Sequence, residues 1–175
     1  MKFALCSVAG GVALLICPTA GAAPPPNFPD FTGFTVVTAT HQGDFRGGVA
    51  EVVTFATPDG VFCGINALGG LGSSVLCYGS VPGLQAVTVT TDPTAAPPPC
   101  DFGMAQVHSA TPGVLSRISG DCPTDLAGSA PLAVGQKVLW GTTTCGVAAD
   151  NVTACIDKTD GGHGFVLRPS GSWTF

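Results

Sequence analysis

Charge is scarce in this chain. Its 175 residues carry six Lys or Arg and eleven Asp or Glu, so only one residue in ten is charged. The basic residues are Lys2, Arg46, Arg117, Lys137, Lys158 and Arg168, and none lies beside another. Nucleic-acid binding depends on clustered Lys and Arg that neutralise phosphates, and this spread argues against it. A basic amphipathic helix that would lie on an anionic membrane is missing as well. Histidine is rarer still, with His41, His108 and His163 far apart and no His-x-x-x-His spacing, so no zinc site is expected. Glu51 is the single glutamate, and a calcium loop of the EF-hand kind needs one at its end. Asp157, Asp160 and Gly161 therefore read as solvated turn residues. No Cys-x-x-Cys and no Gly-x-Ser-x-Gly occurs, which removes the usual redox, zinc-knuckle and serine-hydrolase signatures. No cofactor is expected. A sustained 3.6-residue apolar period is also lacking; the best helical candidate, residues 127–138, is broken by Pro131 and Gly135.

The first feature present in strength is an export pattern. Met1-Lys2 precedes an apolar run from Phe3 to Cys17, followed by Pro18-Thr19-Ala20-Gly21-Ala22-Ala23. A charged start, an apolar stretch and a small-residue exit predict a signal peptide over residues 1–22, cut after Ala22. Pro18 ends the run short of the about 20 residues a membrane anchor needs. A lipid-modified Cys17 would follow a small residue, whereas Ile16 stands there. The released chain would begin at Ala23, with five basic against eleven acidic residues and a formal charge of −6. The expected location is outside the cell or in its envelope, with no transmembrane segment after cleavage.

Cys6 and Cys17 leave with that segment. Cys63, Cys77, Cys100, Cys122, Cys145 and Cys155 remain, and an even number in an exported chain of this size predicts a disulfide framework.

Residues 23–50 form a proline-rich lead-in and first strand, and residues 51–175 a disulfide-bonded β domain. Ala23-Pro24-Pro25-Pro26-Asn27-Phe28-Pro29-Asp30 is extended, because proline lacks a donor and fixes its own φ. Residues 31–39 hold the β-branched set Thr35-Val36-Val37-Thr38, a predicted strand, and residues 41–48 read as loop. Val52-Val53-Thr54-Phe55 and Val61-Phe62-Cys63 flank Thr57-Pro58-Asp59-Gly60, a hairpin turn by composition. Val75-Leu76-Cys77-Tyr78 follows as a strand. Residues 90–99 read as a polyproline spacer, a composition that in exported proteins also carries O-linked sugar. Lys137-Val138-Leu139-Trp140, Thr144-Cys145-Gly146-Val147, Val152-Thr153-Ala154-Cys155-Ile156 and Phe165-Val166-Leu167 are further strands. Turns are predicted at Ala149-Asp150-Asn151 and Asp160-Gly161-Gly162, and Asn151-Val152-Thr153 also matches the N-glycosylation triplet at a hairpin tip.

A weak internal repeat joins the halves. Cys63-Gly64-Ile65 followed by Val75-Leu76-Cys77 parallels Cys145-Gly146-Val147 followed by Thr153-Ala154-Cys155. In each, two cysteines fall on consecutive strands of a meander, where facing Cα atoms lie within disulfide reach. This predicts the pairs 63–77 and 145–155 and leaves 100–122. The predicted fold is all-β: a small, disulfide-stapled, antiparallel meander or sandwich-like domain with two weakly repeated hairpin units.

The cysteine-bearing segments resemble a family of small six-cysteine exported actinobacterial proteins, widespread in mycobacteria, with no assigned function. The resemblance is carried, in order, by Pro58-Asp59-Gly60-Val61-Phe62-Cys63, Pro97-Pro98-Pro99-Cys100-Asp101 and Gly120-Asp121-Cys122. It continues through Thr144-Cys145-Gly146-Val147 and Gly162-His163-Gly164-Phe165 to the terminal Phe175. Cys122 follows its Gly-Asp element, whereas that family more often places the cysteine before it. The resemblance implies an exported, disulfide-bonded β domain and supplies no catalytic residues.

His163 and Asp121 are the candidate functional residues. His163 stands among Gly161, Gly162 and Gly164, where a turn accounts for the glycines. Asp121 adjoins Cys122. Trp140 and Trp173 read as core or edge packing. Two functions stay open. One is a non-catalytic binding or structural module with an envelope or extracellular partner, be it protein, glycan or lipid. The other is an extracellular hydrolase whose site lies near His163 and Asp121.

Overall fold

The computed structural model describes residues 24–38, 41–45, 48–67, 73–84, 100–108, 111–120, 129–159 and 162–175. The export segment 1–22, the tract 90–99, Asp121, Cys122, Asp160 and Gly161 lie outside the described residues.

Strands dominate. β1 (Thr35–Val36), β2 (His41–Phe45), β3 (Gly48–Ala56), β4 (Val61–Ala67), β5 (Ser73–Gly79), β6 (Cys100–His108) and β7 (Thr111–Gly120) come first. β8 (Ala130–Pro131), β9 (Gln136–Trp140), β10 (Thr143–Ala148), β11 (Val152–Asp157), β12 (His163–Leu167) and β13 (Trp173–Thr174) complete the chain. The N-terminal sheet runs β2-β3-β4-β5-β6-β7, with β8 also on β3; the C-terminal sheet runs β1-β9-β10-β11-β12-β13. Among the described residues no helix is long and apolar enough to cross a membrane.

Both sheets are antiparallel meanders with one short parallel addition each. β1 precedes the N-terminal sheet in the chain yet pairs parallel with β9, and β8 precedes the C-terminal sheet yet pairs parallel with β3. The exchange is reciprocal and ties each sheet to the start of the other. Single backbone bonds extend both contacts: Val37 N donates to Lys137 O at 2.9 Å, and Leu132 N to Ala56 O at 2.8 Å.

The sheets pack face to face. Val53, Phe55, Val61, Ile65, Val75, Ala105 and Val107 from one meet Val138, Val147, Phe165 and Leu167 from the other in one buried cluster. The predicted bridges Cys63–Cys77 and Cys145–Cys155 form inside that cluster. In each the cysteines are direct cross-strand partners with Cα atoms 4.1 Å apart. Cys100 opens β6, and its expected partner Cys122 lies outside the described residues.

The Thr57-Pro58-Asp59-Gly60 hairpin forms as its composition demands. Thr57 Oγ1 donates to the Asp59 carboxylate and accepts from Val61 N at 3.1 Å, and Gly60 turns at φ +81°. The turn after β10 uses Asp150 and Asn151 at φ 57° and 55°, the left-handed region that short polar side chains tolerate. Three expectations need correction. Within residues 41–48, expected as loop, His41–Phe45 is a strand instead, because it pairs with β3 through backbone bonds that do not need β-prone side chains. The strand expected over residues 31–39 shrinks to Thr35–Val36, since Phe31 and Phe34 are drawn into packing instead. β6 and β7 form a long hairpin that the sequence did not announce.

The lead-in has a structural task. Phe28, Phe31 and Phe34 stack in sequence, with ring centroids 5.2 and 5.0 Å apart, and Phe28 reaches Phe175 at 5.7 Å. Together with Val152, Trp173 and Phe175 they bury Ala154 and Val166 on the outer face of the C-terminal sheet. This explains why β10, β11 and β12 are buried along nearly their whole length. A strand covered on both faces loses its inside-outside alternation.

Candidate functional sites

Two regions of the C-terminal sheet gather polar side chains, one on each face. On the inner face the pairing registers place Trp140, Thr143, Asp157 and His163 side by side across β9, β10, β11 and β12. Ser73 reaches this row from the opposite sheet. Its hydroxyl donates to Asp157 Oδ2 and lies against Thr143 Oγ1. Thr143 Oγ1 donates to the same carboxylate oxygen at 2.9 Å. Asp157 Oδ1 accepts from Thr142 Oγ1 at 3.0 Å and from Thr159 N at 2.8 Å.

Asp157 is thus a carboxylate only 1 % exposed, with no cation bonded to it among the described residues and four donors on its two oxygens. Burial pushes its pKa up, but the bonds from Ser73, Thr159 and Thr143 outweigh burial and hold it below the usual 3.8. Its acceptor capacity is occupied, so it has no lone pair left to take a substrate proton. The expected solvated turn carboxylate is instead a pin between the sheets.

His163 is the first residue of β12 and half-buried, directly opposite Asp157 in register. Its Nδ1 is buried without a hydrogen-bond partner, as is Trp140 Nε1 at the other end of the row. A Ser-His-Asp relay needs the imidazole between hydroxyl and carboxylate. Here Ser73 bonds Asp157 directly and is itself buried, so the three residues are neighbours without being a relay. The turn beside His163 is carried by Gly162 at φ +83°. Gly164 is glycine for another reason: a β-carbon there would lie 2.3 Å from Cys155 O and 2.5 Å from the Phe175 ring. His163 is therefore a strand residue rather than the turn residue expected. Asp121, its suggested partner, lies outside the described residues.

Among the described residues no group of three His, Cys, Asp or Glu is arranged to hold a metal. His108 is exposed on β6 and accepts a bond from the Gln106 side-chain amide at 2.7 Å. Asn151 is exposed at its hairpin tip, but Thr153 of the glycosylation triplet is fully buried in β11. Trp140 packs against the core and Trp173 against the outer aromatic cluster, as expected.

The outer face offers the second region, which sequence reading missed. A cleft of about 660 Å³ lies between the lead-in and the sheet. Its floor is the cross-strand row Leu139, Thr144, Ile156; its roof is Pro24, Pro25, Pro26, Phe28, Pro29 and Phe31. Lys137 and Lys158 stand on its walls. Lys137 Nζ donates to Phe31 O at 2.7 Å and so clamps the roof to the floor. Asp30 is exposed at the rim; the Thr32 hydroxyl and backbone N–H, with Lys137 nearby, hold its carboxyl below the usual range. Lys158 is exposed, and among the described residues nothing bonds its ammonium. Leu139 is 49 % exposed, a large apolar side chain at the open end. Its one legible sign was the row of phenylalanines in the proline-rich lead-in, which needed an apolar surface to lie on.

These features define a β domain of two face-to-face sheets pinned by a cystine in each, with a roofed cleft on one outer face. No protein-family model, curated protein or solved structure matches the chain.

Proposed function

We propose that this chain is an exported, non-catalytic binding protein that holds a small ligand in the cleft between its lead-in and the C-terminal sheet. One observation carries the reading. The domain leaves the cleft floor open at Leu139, 49 % exposed, while Ala154 and Val166 on the same outer face are buried under the lead-in aromatics. Ligand sites are commonly clefts of about 300–1,000 Å³ with mostly apolar walls and a few polar groups, and this cleft has that character. Export is supported by the signal pattern of residues 1–22 and by cystines, which persist in oxidising surroundings. The competing hydrolase reading draws on the unpartnered Nδ1 of His163, but the carboxylate opposite it in register, Asp157, is already bonded by the Ser73 hydroxyl.

The test is native mass spectrometry of the oxidised protein after incubation with a lipid and metabolite extract of its own envelope. The wild-type protein should retain a small-molecule adduct that leaves with unchanged mass, and Leu139→Asp should retain none. An adduct kept by Leu139→Asp, or a ligand released in cleaved form, would overturn the reading.

A further inference from the structure

The cleft's chemistry narrows its ligand. Two of the chain's three lysines, Lys137 and Lys158, line it, in a protein of net charge −5. The two do different things. Leu139 on β9 and Ile156 on β11 both face Thr144 on β10, so they sit at the same level of the sheet. Lys137 lies two residues before Leu139 and Lys158 two residues after Ile156. Because β9 and β11 run in the same direction, the lysines stand at opposite corners of the floor, about 16 Å apart at Cα by strand geometry.

Lys137 is committed to Phe31 O and neighbours Asp30, so its charge is locally matched. Lys158 has neither kind of partner among the described residues. A cation with no partner among the described residues therefore stands at one end of an apolar strip that runs from Ile156 past the Thr144 side chain to exposed Leu139. Phe28 and Phe31 lie over the strip.

Resting on the binding-protein reading, we infer that the cleft takes an amphiphile with a single anionic head and an unbranched apolar tail. The head sits at Lys158, and the tail lies along Ile156 and Leu139 beneath the lead-in. Carboxylate and phosphodiester heads share this chemistry. A dianionic or bulky polar ligand does not fit it, because the second cation is already engaged and the floor offers only the Thr144 hydroxyl.

Isothermal titration calorimetry with three probes of equal tail tests the assignment: decanoate and decyltrimethylammonium below their micelle concentrations, and decanol below its solubility limit. Decanoate should bind about tenfold tighter than the cationic probe, and 0.5 M salt should erase most of that preference. Lys158→Gln should weaken decanoate about three- to tenfold and leave decanol unchanged. Leu139→Asp should abolish binding of decanol and decanoate alike. Both side chains are exposed, so the variants should melt with the wild type. Equal binding of all three probes, still abolished by Leu139→Asp, would overturn the anionic-head assignment and leave the cleft in place. Decanoate bound equally by wild type and Leu139→Asp would overturn the cleft itself.

Discussion

In the N-terminal sheet the cystine sits in an inward-facing row that runs Phe55, Cys63, Cys77, Ala105 across four strands. In the C-terminal sheet the matching row runs Val138, Cys145, Cys155, Phe165. Both rows are buried in the shared core, and a glycine follows the first cysteine in each. One step further along the strands the likeness ends. The N-terminal sheet continues with Val61, Gly79 and Gly103, where Val81 and Leu84 fold over Gly103. The C-terminal sheet continues with Thr143, Asp157 and His163, a polar row bonded to Ser73 of the other sheet. The outer faces differ as well, since the lead-in lies on the C-terminal sheet. The repeat thus builds the scaffold, and the residues that depart from it build the two candidate sites. This is the expected division when function is added to a frame that already folds.

The largest effect expected concerns what the halves share. Replacing both cysteines of one pair by serine should cost roughly 3 kcal/mol by the loop-entropy argument. The pairs span 14 and 10 residues in sequence, too small a difference for that argument to separate them. Equilibrium denaturation of the two double variants, Cys63→Ser/Cys77→Ser and Cys145→Ser/Cys155→Ser, should give losses that agree closely. A loss confined to one pair would break the equivalence of the sheets.

The next effect belongs to the C-terminal sheet alone. Asp157→Asn keeps the shape but cannot accept four donors as a carboxylate does, so it should cost about 1–3 kcal/mol at neutral pH. The folded pKa of Asp157 is lowered, so the unfolded chain binds its proton more readily. Its stabilisation is then complete above the ordinary value of 3.8 and drains away as pH falls through the lower folded value. Melting curves should show wild type above Asp157→Asn near pH 6, with the gap closing below about pH 4. A gap that stayed constant to pH 2, or no gap at pH 6, would remove the pin between the sheets.

The sequence carried the scaffold further than the sites. Alternating β-branched runs and the Thr57-Pro58-Asp59-Gly60 turn act locally, and the cysteine spacing repeats, so strands, hairpins and two of the bridges could be read directly. β6 and β7 were hidden because Gly103, Gly113 and Pro112 dilute their β character. At Gly103 that small residue serves distant packing, since a β-carbon would come within 2.4 Å of Val81 Cβ. His163 was singled out for its glycines, which turned out to answer to Gly162's backbone and to Phe175's ring rather than to the imidazole. Asp157 looked like a turn residue because three of its four donors are distant in sequence: Ser73, 84 residues away, Thr143 on the neighbouring strand and Thr142 just before it. The cleft depends on a lead-in folding back over strands more than 100 residues later, as the 106-residue span of the Lys137–Phe31 bond shows. No local pattern encodes such a contact.

The smallest effect is the sharpest probe of the lead-in. Gly64 and Gly146 occupy the same place in the repeat, each after the first cysteine and each on an outer face. A β-carbon at Gly64 would touch only Val52 Cγ1 at 3.6 Å, an ordinary contact. At Gly146 it would lie 3.0 and 3.1 Å from the Phe31 ring and 3.2 Å from Gln136 O. Alanine removes glycine's extra chain entropy at both positions, a stabilising contribution of about 0.5–1 kcal/mol. At Gly64 nothing opposes it, and Gly64→Ala should be neutral or slightly stabilising. At Gly146 the ring must move, an overpacking cost of about 1–3 kcal/mol that leaves a net loss of order 1 kcal/mol. The loss should be local. Phe31 stacks on Phe28 and Phe34 and its carbonyl takes the Lys137 ammonium, so displacing its ring should loosen the roof of the cleft before it disturbs the sheets. Amide hydrogen exchange read residue by residue should therefore rise at Phe34 N, which is bonded to Phe31 O, and stay unchanged at the β10–β11 ladder. Equal behaviour of Gly64→Ala and Gly146→Ala in both stability and exchange would mean that the lead-in does not rest on the sheet, and the asymmetry between the halves would lose its outer face.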